Sequence, residues 1–188
     1  MDRTFIIIDN FLDDPDRVRL DALSLDFNRI KESVPGNRSS SALVGDHQTE
    51  VETKLKTIFG GEIVWDWTQD SFYFQSCQEG TETWIHKDSP EKDQGEFAAV
   101  LYLTPNPNHD AGTAVFCPPD GDPELTDDGY KTNPYPDQEP IMDMASGNVY
   151  NRLVIYRGKA LYHRSILPGF GKTLETSRLT QVFWFDVK

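Results

Sequence analysis

Arg178-Leu179-Thr180-Gln181-Val182-Phe183-Trp184-Phe185 reads as a β-strand near the end of the 188-residue chain. Side chains of a strand alternate between faces, so Arg178, Thr180, Val182 and Trp184 share one side. Working back from it, Leu161–His163, Arg152–Tyr156, Thr113–Phe116, Phe97–Thr104, Thr83–His86, Ser71–Cys77 and Ile63–Trp67 are of the same kind: short, rich in aromatic and β-branched residues, and divided by turn residues. Upstream the character changes. Thr4–Asp9 reads as a short buried strand, and the acids and proline of Asp13-Asp14-Pro15-Asp16 as a helix start. Val18, Ala22 and Leu25 fall at helical spacing, which carries that helix to about Phe27. A serine-rich link over Glu32–Ser41 turns at Pro35-Gly36, and a second helix runs over Thr49–Phe59 to a stop at Gly60-Gly61. Two helices followed by strands without alternating helices is an α+β pattern. The expected architecture is a double-stranded β-helix (jelly roll) core with the two N-terminal helices packed on one sheet. We expect one domain over 1–188, with the first strand and helices in 1–61 and the core in 62–188.

Composition narrows the function classes. Thirty-one acids against eighteen bases leave a formal charge of −13, which cannot neutralise a run of phosphates; nucleic acid is not an expected partner. No apolar run is long enough for a membrane span, and Phe5–Ile8 is too short for a signal-peptide core, so a cytoplasmic protein with no membrane partner is expected. Cys77 and Cys117 make neither a metal motif nor a disulfide framework and read as two thiols in a reducing compartment.

The chemistry concentrates in Trp84-Ile85-His86-Lys87-Asp88 and Leu161-Tyr162-His163. Residues i and i+2 of an extended chain point the same way, so His86 and Asp88 can aim an imidazole and a carboxylate at one point. With His163 they would complete the two-histidine, one-carboxylate facial triad of non-haem Fe(II) oxygenases, which leaves coordination positions open for co-substrate and oxygen. Arg178 is either a strand-end arginine paired with one of the many acids or, with Thr180 two residues on, a grip for a ligand carboxylate.

In order along the chain stand His86-Lys87-Asp88, Val100-Leu101-Tyr102-Leu103-Thr104, Ala111-Gly112-Thr113-Ala114-Val115-Phe116, Asn151–Tyr156, His163 and Arg178-Leu179-Thr180. That order resembles the 2-oxoglutarate/Fe(II)-dependent oxygenases, especially their prolyl-4-hydroxylase-like branch. The resemblance implies that His86, Asp88 and His163 bind Fe(II) and are the catalytic centre. It implies that Arg178 pairs with the distal carboxylate of 2-oxoglutarate, helped by Thr180 and the Tyr102 hydroxyl, and that Trp184 walls the pocket. Gln75 stands near where the family often has a tyrosine and is a further candidate for co-substrate binding. The activity implied is O2-dependent hydroxylation of an unactivated C–H bond, with a prolyl or other amino-acid side chain as first candidate. A carboxylate at Asp88 argues against a radical halogenase, which would need a small residue there.

Two other classes remain open on the sequence. The same jelly roll could be a non-catalytic binding module for an acid ligand or protein partner, and the same ligands could hold Zn(II) or Mn(II). His47 and His109 read as solvated polar residues, and Trp65 and Trp67 as packing. Pro118–Pro140, with six prolines, seven acids and one lysine, is either a functional lid or a mobile segment. As a lid it would favour a cationic small molecule or peptide, with Tyr130 and Tyr135 as its contacts.

Overall fold

The computed structural model describes residues 4–30, 34–88, 95–118 and 139–188. Their order is β1 (Phe5–Ile8), α1 (Pro15–Leu23), β2 (Asn37–Ala42), α2 (Asp46–Phe59), β3 (Ile63–Trp65), a short 3₁₀ turn, β4 (Tyr73–Cys77), β5 (Phe97–Tyr102), β6 (Thr113–Phe116), β7 (Met142–Ser146), β8 (Leu153–Tyr156), β9 (Tyr162–Ser165) and β10 (Arg178–Val187). Expectations for Tyr130, Tyr135 and most of Pro118–Pro140 fall outside the described residues.

The strands form two antiparallel sheets. One runs β1-β8-β5-β10-β4-β2 with β3 beside the far end of β10; the other runs β7-β6-β9. Strand β10 is central because it pairs with β5 over Thr180–Phe185 while its first half also pairs with β4 and its last residues with β3. Its alternation sorts the interior into two. Leu179, Phe183 and Phe185 join Val18 and Ala22 of α1 and Val51 and Leu55 of α2 in one apolar cluster. Val182 and Trp184, on the other face, cluster with Ala98, Tyr102, Val154 and Tyr156 of the same sheet and with Val115 of the smaller one. Each fully buried Leu or Phe in these layers contributes about 1.5–3 kcal/mol, so a one-residue slip of β10 would exchange apolar for polar groups on both faces.

Several element boundaries differ from expectation. Helix α1 begins as read, with the Asp14 carboxylate accepting from the Arg17 amide, but it ends at Leu23 rather than near Phe27. The Ser24 hydroxyl donates to the Asp21 carbonyl, and past it the Asp26 carbonyl accepts from Ser40, tying this stretch to β2 instead of extending the helix. Helix α2 begins at Asp46, because the Gly45 carbonyl already accepts from the Thr49 amide; Gly60, left-handed at φ 72°, closes it.

The expected link Glu32–Ser41 carries a strand. In β2 the Ser39 hydroxyl accepts from the Phe74 amide at 3.0 Å and donates to the Ser41 carbonyl at 2.8 Å, so side-chain hydrogen bonds do what apolar alternation usually does. Conversely, Thr83–His86 is not a strand. Its backbone bonds are split, His86 pairing with His163 and Asp88 with Gly158, so no continuous ladder forms. His47 is not solvated: it is 9% exposed, and its Nε2 donates to Gln181 Oε1 at 2.7 Å. Burial lowers its pKa. His109 and Trp67 are exposed and Trp65 is buried, and neither cysteine forms a disulfide.

Candidate metal centre

His86 and His163, far apart in sequence, face each other through a reciprocal backbone pair: His86 N–H to His163 O at 3.1 Å and the reverse at 2.8 Å. Opposed residues of an antiparallel pair direct their side chains to the same face, and the two imidazole centroids lie 4.4 Å apart. Two residues beyond His86, the Asp88 amide donates to the Gly158 carbonyl at 2.9 Å, which brings the carboxylate back to the same point. Asp88 Oδ1 lies 3.9 Å from His86 Nε2 and 3.7 Å from His163 Nε2. One donor atom from each of the three side chains falls within 4.8 Å of the others.

The donor chemistry fits a cation. His86 Nδ1 donates to the Trp84 carbonyl at 3.1 Å and His163 Nδ1 to the Leu161 carbonyl at 2.9 Å. A carbonyl only accepts, so both rings keep the tautomer that presents an Nε2 lone pair to the centre. Among the described residues Asp88 Oδ2 is buried without a hydrogen-bond partner, an expensive state for a carboxylate that a metal relieves. His163 is held neutral: burial, and secondarily the nearby His86, lower its pKa from 6.5 to about 4. Between those two values the unfolded chain binds the proton and the metal-free fold does not, so the His163 contribution to stability is lost as pH falls from about 6.5 to about 4. Thermal unfolding of the metal-free protein should show this fall, and His163→Gln should flatten it across the same window.

Gly158 makes room for the carboxylate. A Cβ there would sit 1.9 Å from Asp88 Oδ2 and 2.9 Å from the Ala98 Cβ. Gly158→Ala should therefore fold but displace Asp88, lowering affinity for Mn(II) about tenfold or more in a calorimetric titration.

Around the three donors lies a cavity of about 460 Å³, within the range of small-molecule sites. Arg178, Trp184, Val182, Gln75 and Tyr156 line it together with the triad. Arg178 is 3% exposed; its Nε donates to the Ala111 carbonyl at 2.8 Å, and its guanidinium carbon lies 5.4 Å from the Tyr102 ring centroid. Among the described residues no carboxylate pairs with it, so the strand-end ion-pair reading does not hold for this arginine. Thr180, opposite Tyr102 on β5 and Gln75 on β4, keeps its hydroxyl buried and without a partner. The Tyr102 hydroxyl bonds to Thr113 Oγ1 at 2.7 Å. The Gln75 amide nitrogen is already committed to the Pro35 carbonyl.

One further residue of the site is not a candidate on sequence periodicity. Arg38 of β2 is 2% exposed, lines the cavity, and sits with its guanidinium carbon 5.5 Å from the Trp184 ring centroid. Among the described residues its Nε and Nη1 have no hydrogen-bond partner. The only sequence signal was an arginine just after a Pro-Gly turn, in a segment without strand periodicity.

No family model matches the chain, and no curated protein matches it in sequence. Solved structures match it in three dimensions. A Pseudomonas putida prolyl-4-hydroxylase superposes with a TM-score of 0.53 at 16% identity, covering 99% of this chain and 94% of that one. An oxidoreductase of the 2OG-Fe(II) oxygenase family from Burkholderia pseudomallei gives 0.55 at 12% identity, covering 97% and 84%. The chain has the 2OG-Fe(II) oxygenase fold. HygX from Streptomyces hygroscopicus, solved with nickel and 2-oxoglutarate bound, shares that fold with a TM-score of 0.60 at 10% identity, covering 99% and 84%. On this oxygenase fold the histidine–aspartate–histidine cluster sits between the two sheets, on the face of β10 that carries Arg178 and Trp184.

Proposed function

We propose that the protein is a 2-oxoglutarate- and Fe(II)-dependent dioxygenase that hydroxylates an unactivated C–H bond, with amino-acid side chains, prolyl among them, as the first substrates to test. The observation that carries this reading is the convergence of His86, Asp88 and His163 on one point of a cavity that also holds an arginine with no carboxylate partner among the described residues. Fe(II), when bound, supplies O2 activation coupled to oxidative decarboxylation of the 2-oxo acid.

The residues divide the remaining work. His86, Asp88 and His163 would hold the metal from one side, and the single carboxylate leaves a net positive centre that attracts a dianionic 2-oxo acid. Arg178 would receive its distal carboxylate as a charge-assisted pair, with the unpartnered Thr180 hydroxyl as a second donor. Tyr102, tied to Thr113, positions the Arg178 guanidinium through its ring. Trp184, Val182 and Tyr156 keep the cavity wall apolar, which strengthens each of these charge interactions. A binding module would need no buried carboxylate aimed at two imidazoles. Zn(II) or Mn(II) would fit the same donors, so the metal found after purification does not by itself decide the activity.

The test is spectroscopic. Protein loaded anaerobically with Fe(II) and then 2-oxoglutarate should develop the weak visible charge-transfer band of a chelated 2-oxo acid. Absence of the band in iron-loaded protein would contradict the reading.

A further inference from the structure

The lateral pairing of four strands places Arg38, Gln75, Thr180 and Tyr102 in one row across the cavity face, because Arg38 opposes Gln75, Gln75 opposes Thr180, and Thr180 opposes Tyr102. Arg178 lies next to this row. The cavity therefore has two buried arginines in its wall, and among the described residues neither has a carboxylate at ion-pair distance. A third cavity arginine, Arg164, follows His163 on β9 and turns to the opposite side, over the Phe116 ring.

A buried, unpaired guanidinium is costly to the fold. Burial lowers the Arg38 pKa to about 10, which still leaves it protonated at neutral pH. The local backbone is built to deliver it. Gly36, at φ 68°, passes so close to β4 that a Cβ there would lie 2.2 Å from the Ser76 carbonyl oxygen.

On the proposed function above, Arg38 carries a charge that nothing else in the filled cavity answers. The two positive charges of the metal and the one of Arg178 are met by Asp88 and the two carboxylates of 2-oxoglutarate. The charge on Arg38 is left over. Asp70 lines the same cavity, and its carboxylate, 3.4 Å from Arg29, is the largest favourable influence on Arg38 protonation. The Asp70 charge is already met by Arg29, so what the cavity presents to a substrate is the Arg38 cation, and an anion such as the α-carboxylate of a free amino acid is its complement.

We propose that Arg38 binds the α-carboxylate of the primary substrate, and that this substrate is a free amino acid rather than a residue within a peptide. The Trp184 ring, over which the guanidinium sits, holds the fork flat for that contact.

The experiment uses anaerobic full-length protein with Fe(II) and saturating 2-oxoglutarate, titrated separately with the twenty protein L-amino acids at millimolar concentration. Calorimetry and the visible band are both read. At least one amino acid should bind and shift the band, and its α-carboxamide should bind about tenfold more weakly or worse, as expected for loss of one charge-assisted hydrogen bond. Arg38→Gln should weaken that amino acid by a similar factor while leaving 2-oxoglutarate affinity within about threefold. Arg38→Met removes an unpaired buried charge, so its Tm without ligand should equal or exceed that of the wild type. The inference is overturned if no amino acid binds although the band forms, if the carboxamide binds as well as the acid, or if Arg38→Gln abolishes 2-oxoglutarate binding itself. A lower Tm in Arg38→Met would mark a structural arginine and overturn it too. A wild type without the band would instead sink the dioxygenase reading, which keeps the two failures apart.

Discussion

Asp88→Ala should fold, should lose Fe(II) binding by about a hundredfold or more, and should show no charge-transfer band with 2-oxoglutarate. The size of the effect follows from charge. Two neutral imidazoles remain, and the one anionic donor that offsets the metal's charge is gone. The same substitution should not destabilise the metal-free protein. Asp88 Oδ2 is buried without a partner, and an orphaned buried acceptor costs about 1–3 kcal/mol. Removing it relieves that cost, so the Tm without metal should stay level or rise. Iron titration and thermal unfolding of the same sample check both halves. A lower Tm with iron affinity intact would mean that the carboxylate serves the fold and not a metal.

Arg178→Met should leave iron binding unchanged and lower the affinity for 2-oxoglutarate by about two to three orders of magnitude, the usual cost of truncating one partner of a buried charge pair. The variant also loses the Nε–H bond to the Ala111 carbonyl, so Arg178→Lys is the needed comparison. Lysine keeps the charge without the planar fork and should recover part of the affinity. The band at increasing 2-oxoglutarate separates weakened binding from lost metal. Equal affinity in all three proteins would assign the co-substrate carboxylate to another group.

Legibility in the sequence tracked periodicity. Strand β10 was readable because it is covered on both faces and its alternation is uninterrupted, and that alternation placed Arg178, Thr180, Val182 and Trp184 together. The period of two also gave the shared aim of His86 and Asp88. The structure brings them to His163 through one backbone pair, which no local pattern announces. Strand β2 is hidden in the sequence because Asn37-Arg38-Ser39-Ser40-Ser41-Ala42 is held by the Ser39 hydroxyl and backbone pairing, and Arg38 is hidden with it. His47 reads as solvated in the sequence because its partner, Gln181, is polar and distant along the chain. The helical spacing runs past the end of α1 because Leu25 and Phe27 do pack on the core, but from a chain already turning toward β2. In each miss, a side-chain hydrogen bond or a long-range pairing overrode the local apolar pattern.

The most direct measurement is anomalous diffraction at the iron edge from crystals grown anaerobically with Fe(II) and 2-oxoglutarate. One strong peak is expected, bonded to His86 Nε2, His163 Nε2 and a carboxylate oxygen of Asp88, with the 2-oxo acid chelating it and its far carboxylate on Arg178. An iron peak elsewhere, or none in protein that holds 2-oxoglutarate, would contradict it.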